Sequence, residues 1–148
     1  MVSSTWMSES RFCASDWNSL SCCCSTALDR EIYKCVSGDI TTNDVVLTAE
    51  RIRHIKEHHP EDYERYHEYI RMMIETPDYI LETRAPDSAF IVNEFAKGEE
   101  HFRMILKLKT PREEKNYLNS VIQFQYINAR EYRQLIKNKK ILYKRHDL

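Results

Sequence analysis

His101-Phe102-Arg103-Met104-Ile105-Leu106-Lys107-Leu108-Lys109 alternates along its length. Phe102, Met104, Leu106 and Leu108 hold one set of positions; Arg103, Ile105, Lys107 and Lys109 hold the other. A period of two belongs to a strand, whose successive side chains point to opposite faces. The stretch therefore predicts a half-buried strand with one apolar and one largely cationic face. Shorter runs at 79–82 and 89–95 read as strands parted by a turn at Pro86-Asp87, and Gly98 marks a hairpin into 101–109. Beyond a polar loop at 110–117 come a strand at 120–127, a short basic helix at 129–137 and a last strand at 141–143.

Upstream the period becomes helical. Val45-Val46-Leu47 is a short apolar run, and Thr48 stands as a helix N-cap, with Arg51 where a complete capping box needs Glu. Ile52 and Ile55 share a face of the helix that follows, and Pro60 is expected to end it. Tyr63, Tyr66, Ile70 and Met73 give a second helix one buried stripe, and Pro77 closes it. The expected fold is α+β: two N-terminal helices packed on a small antiparallel β-sheet, with a short basic helix before the last strand.

A chain of 148 residues suits one domain. Residues 1–28 are expected to form a disordered Ser/Cys-rich extension, and 29–148 a single domain. Four of the five cysteines (Cys13, Cys22, Cys23 and Cys24) fall in that extension, with Cys35 just after it. Three adjacent cysteines with no histidine nearby do not suit a tetrahedral zinc site, so reduced thiols are expected. No apolar run is long enough for a membrane helix, and the first residues lack the pattern of a secretory leader. A cytoplasmic protein without membrane association is expected.

The net charge of −1 hides a segregation. Residues 1–100 carry 10 Lys and Arg against 19 Asp and Glu, whereas 101–148 carry 12 against 4. Such a chain can turn a basic face to a polyanion and stay soluble.

His54-Ile55-Lys56-Glu57-His58-His59-Pro60 is the most distinctive local feature. His54 and His58 lie four apart on one helix face, a zinc-like spacing. Ile55, however, stands where the zinc-protease pattern places its glutamate, and neither His67 nor His101 sits at a recognisable ligand spacing. No metal and no other cofactor is expected. Imidazoles alone can act as acid and base near neutral pH. RNA cleavage by the 2′-hydroxyl needs such a pair, with cations facing the phosphorane charge. His54, His58 and His59 could supply the first, and Arg103, Lys107 and Lys144 the second. A surface histidine cluster at a helix end accounts for the same residues without any chemistry.

Three upstream runs read together: Val45-Val46-Leu47-Thr48, Arg51-Ile52-Arg53-His54-Ile55 and His59-Pro60-Glu61-Asp62-Tyr63. Further on come Ile74-Glu75-Thr76-Pro77-Asp78-Tyr79-Ile80, the strand at 104–110, Asn119-Ser120-Val121-Ile122 and Asn138-Lys139-Lys140-Ile141-Leu142-Tyr143-Lys144. In this order the set resembles the phage-associated barnase, EndoU, colicin and RelE-like nucleases over roughly residues 45–145, small domains of phage or prophage proteins. The resemblance implies a metal-free ribonuclease fold. It carries the family's histidines onto His54 and His59, with His58 at a variable position, and puts the strand cation at Lys107 and a polar pair at Asn119 and Ser120. Together with the reading of the residues, this makes His54, His59, Lys107 and Ser120 the expected catalytic residues, and His58, Arg103, Asn119, Gln123, Tyr143 and Lys144 the expected substrate contacts. One departure is Gln123, where the family usually continues with Thr.

Two functions fit this reading. One is a metal-independent endoribonuclease of phage, prophage or toxin type, cutting tRNA or mRNA by 2′-hydroxyl attack with histidine acid–base catalysis. A neutralising antitoxin or a phage head protein would be its protein partner. The other is a catalytically inactive module of the same fold that binds nucleic acid or a phage structural partner. Gln123 is the residue that motivates the second.

Overall fold

The computed structural model describes residues 22–58, 60–111 and 118–146. Strand β1 (Cys22–Ala27) leads into a one-turn helix, α1 (Arg30–Tyr33), capped by the Asp29 carboxylate accepting from the Glu31 N–H at 2.9 Å. Strand β2 (Asp44–Thr48) runs directly into helix α2 (Ala49–His58). A 3-10 turn (Pro60–Asp62) connects to helix α3 (Tyr63–Glu75), which buries Tyr66, Ile70, Met73 and Ile74. Strands β3 (Tyr79–Leu81), β4 (Ser88–Phe95), β5 (Glu100–Lys107) and β6 (Asn119–Ile127) follow. Helix α4 (Ala129–Asn138) and strand β7 (Ile141–Lys144) complete the chain. None of the described helices is long and apolar enough to cross a membrane.

The sheet corrects the expected fold. It is not a small antiparallel sheet under two N-terminal helices. Among the described residues it has seven strands in the order β1-β2-β6-β5-β4-β3-β7, and it is mixed, because β2 runs parallel to β6. The parallel contact pairs Val45 with Asn119 and Val46 with Ser120. The helices α2 and α3 follow the second strand instead of preceding the sheet, and four α-helices are present among the described residues. The short basic helix before the last strand is found, as α4. Strand β1 lies within the stretch expected to be a disordered extension: it pairs antiparallel with β2 from Cys22–Thr48 to Ala27–Asp44, and Thr26 Oγ1 donates to Glu75 Oε2 at 2.7 Å. Residues 1–21 lie outside the described residues.

Alternation within β5 assigns the two faces of the sheet. Phe102, Met104 and Leu106 are fully buried in a core that also takes Ile52 and Ile55 of α2 and Tyr66, Ile70, Met73 and Ile74 of α3. On the opposite face a second core joins Leu81, Phe90, Val92, Ile105 and Ile127 to Tyr132, Leu135 and Ile136 of α4. Strand β4 is covered on both sides, which is why every residue but Glu94 is buried there and the apolar run is almost unbroken. Helix α4 is held in place by a capping box in which Asn128 Oδ1 accepts from the Glu131 N–H while Glu131 reaches back to the Asn128 N–H.

Candidate active site

Ile52 and Ile55 anchor α2 on the first core, so the opposite side of the helix faces outward and carries His54 and His58. Their rings are 4.3 Å apart between centroids and tilted by 33°. His58 Nδ1 lies 3.0 Å from the backbone carbonyl oxygen of His54. A carbonyl can only accept, so in this contact Nδ1 carries the proton, and the Nε2 of a neutral His58 is left with its lone pair free. The pair opens onto a groove of about 270 Å³ lined by Ile55, Tyr66, Phe102, Phe124, Gln125 and Tyr126.

The groove follows from strand geometry. Only Asn119 and Ser120 of β6 pair with β2 among the described residues; beyond them β2 has turned into α2, and the edge of β6 is left beside the helix. Phe102 pairs with Tyr126 and Met104 with Phe124, so these side chains share the face that α2 and α3 cover. Phe102 and Phe124 stack at 4.9 Å, and Tyr66 meets Phe102 edge-on at 5.2 Å. Tyr126, 51% exposed, forms the outer lip. Burial pushes the Tyr66 phenol above its ordinary pKa, so it stays a neutral donor.

The expected cations do not line this groove. Arg103 and Lys107 alternate with Phe102 and Leu106 and so point from the other face of the sheet. Arg103 donates from Nε and Nη2 to Gln125 Oε1 at 3.1 and 2.9 Å, and Gln123 Nε2 reaches the same oxygen at 3.4 Å. It lines a cavity of about 450 Å³ with Gln134, Asn138 and Lys139. Lys107 donates to the Pro86 carbonyl at 3.3 Å and, with Ser120, lines a separate cavity of about 410 Å³. Gln125 both lines the imidazole groove and bonds to the cationic face.

The remaining expected site residues separate further. Asn119 is fully buried, and its amide is spent on the fold: Oδ1 accepts from the Lys109 N–H at 2.7 Å, and Nδ2 donates to the carbonyls of Thr42 and Asp44 at 2.8 and 2.9 Å. Tyr143 is half-buried against the first core, opposite Ile80. Lys144 is exposed on β7, opposite Tyr79. That edge is four strand steps from β6, roughly 19 Å away. His59 lies outside the described residues. His67 is buried on α3, and His101 is buried beside Glu94 at 3.6 Å and the Tyr132 ring at 4.4 Å. Among the described residues no group of three or more His, Cys, Asp or Glu is placed to hold a metal ion.

Sequence reasoning did not single out Tyr66, Phe102, Phe124, Gln125 or Tyr126 as site residues. The signal was there: alternation within 120–127 puts Phe124 and Tyr126 on one face and Gln123 and Gln125 on the other.

Comparison with known proteins yields one match. The family model described as phage-Barnase-EndoU-ColicinE5/D-RelE like nuclease2 matches residues 28–144. No curated protein and no solved structure matches the chain. The matched span runs from the residue after β1 to the end of β7 and takes in the imidazole groove and the cationic strand face together. It covers most of the chain and supports a nuclease function. The chain therefore belongs to the phage-associated Barnase–EndoU–colicin E5/D–RelE-like nuclease family.

Proposed function

We propose that this nuclease is an endoribonuclease that cuts RNA without a metal ion, by internal attack of a 2′-hydroxyl, in the groove beside α2. The observation that carries the reading is the side-by-side pair of imidazoles at the mouth of an aromatic groove. An unstacked base fits against the exposed Tyr126 and the half-buried Phe124, as single-stranded RNA is commonly held. His58 Nε2 takes the proton of the 2′-hydroxyl. The 2′-oxygen then attacks phosphorus, the bond from phosphorus to the 5′-oxygen breaks, and a protonated His54 returns a proton to the departing oxygen. The products are a 2′,3′-cyclic phosphate and a 5′-hydroxyl.

Gln125 is the residue suited to the non-bridging oxygens. Its Oε1 is committed to Arg103 and Gln123, which leaves its amide N–H₂ to donate to phosphate. Gln123 itself stands on the Arg103 face, away from the imidazoles, so the loss of a threonine hydroxyl there does not remove a group from the groove.

The test uses a short RNA, the same RNA with one 2′-deoxy nucleotide, and all-DNA, each in excess EDTA. The proposal expects cleavage of the RNA with cyclic phosphate ends, and no cut after the deoxy position. Cleavage of DNA, or cleavage abolished by EDTA, contradicts it.

A further inference from the structure

Arg103 and Lys139 each lie within about 6 Å of the same aromatic ring, that of Phe90. The Arg103 guanidinium carbon is 5.8 Å and the Lys139 ammonium 5.5 Å from the centroid of Phe90. Both side chains line the cavity of about 450 Å³ between β5 and α4, with Gln134 and Asn138 beside them. Two like charges lining one cavity repel, and an anion bound there relieves that repulsion. Among the described residues the one carboxylate lining the cavity belongs to Glu131, whose Oε1 accepts from the Asn128 N–H in the capping box of α4, so one negative charge faces two positive ones. The outer side of the helix is also basic: Arg130, Arg133 and Lys137 are exposed and have no ion-pair partner among the described residues. Gln125 joins this cavity to the imidazole groove through Arg103.

We infer that the Arg103–Lys139 cavity is a subsite for a backbone phosphate of the same single strand whose scissile bond lies in the groove, a few nucleotides away. The inference rests on the nuclease reading for its choice of ligand. Arg103 thus acts on a flanking phosphate, and Lys139 gains a role. The aromatic groove requires an unpaired nucleotide, so the continuing strand is single-stranded as it passes Gln125 and enters the cavity. Arg133 and Lys137 extend the same positive surface outward.

A 12-nucleotide RNA carrying 2′-O-methyl groups throughout cannot supply the nucleophile and stays whole, so fluorescence anisotropy reads binding alone. Lys139→Glu should weaken this ligand about tenfold or more. It should also make the slope of log K against log salt shallower by about 0.7, the value for one phosphate contact to a single strand. Lys97→Glu, the same charge change on the exposed turn before β5, controls for net charge and should have little effect. Equal losses in both variants, no loss in either, or no binding by the wild-type protein overturns the subsite. A wild-type protein that binds through Lys139 yet cuts no unmodified RNA leaves the subsite standing and removes the endoribonuclease reading.

Discussion

Asn119→Ala separates a structural from a substrate-binding role for one of the most buried polar side chains. Asn119 begins β6, where it touches the end of β5 and the entry to β2, and its three hydrogen bonds all go to backbone groups. Removing the amide strands one N–H and two carbonyls. A net hydrogen bond contributes about 1 kcal/mol, and an orphaned buried group costs about 1–3 kcal/mol. Thr42 and Lys109 are only half-buried and Asp44 is exposed, so water can reach part of the vacated space and the lower end applies. The expected loss is about 3 kcal/mol, a large share of the roughly 5–15 kcal/mol that holds a domain together. Urea denaturation should show a midpoint lowered by 1 M or more with the slope unchanged. Asn119→Asp should be no better, because a carboxylate oxygen would face the Thr42 and Asp44 carbonyls. A loss below 1 kcal/mol, with cleavage abolished in a fully folded protein, would refute the structural assignment and return Asn119 to the substrate.

Three further outcomes are expected. Tyr126→Ala removes the exposed lip of the groove; with base–aromatic stacking worth about 1–3 kcal/mol, RNA binding should weaken roughly 5- to 150-fold at unchanged stability, and unaltered binding rules out a base at that position. Arg145 Nη1 is 2.6 Å from the buried Asp78 carboxylate, whose other oxygen accepts from the Glu94 N–H; Arg145→Ala should lower stability by about 2 kcal/mol, with Asp78→Asn in the same chain recovering part of it. Burial lowers the pKa of His67 from its ordinary 6.5, so its contribution is present above that value and is lost as pH falls through it. Between pH 7.5 and 5 the wild type should lose more stability in urea than His67→Gln, and identical losses would remove His67 from the acid response.

Local patterns were legible wherever one side chain's neighbours lie close in the chain. The stripe of Tyr66, Ile70 and Met73 marks α3 because helical spacing alone puts those residues on one face. The alternation of 101–109 marks β5 for the same reason. What was hidden depends on distant partners. Nothing in Ser and Cys composition announces β1, which exists because β2 offers it an edge. The parallel β2–β6 contact joins residues more than 70 positions apart and shows only once the sheet is assembled. Asn119 reads as a polar loop-end residue, and only that assembly reveals its three backbone partners. The Asn128–Glu131 capping box is local too, since its two residues stand three apart at the head of α4.

For the site, the imidazole pair was legible from its four-residue spacing, and its separation from Arg103 and Lys107 was implicit in the same alternation. Helices α2 and α3 pack on the side of β5 that carries Phe102 and Met104, so groups they carry meet the Arg103 side only where a strand's edge is left uncovered. That place is the stretch of β6 beyond its short pairing with β2, and Gln125 is where the two sides meet.

Single-turnover cleavage of unmodified RNA in EDTA by His54→Asn and His58→Asn, each shown to be folded, tests the central claim most directly. If the imidazoles perform the proton transfers, each variant should lose about 100-fold or more. Wild-type rates in both, with cleavage lost instead in Lys107→Ala, would place the chemistry on the opposite face of the sheet and contradict the account.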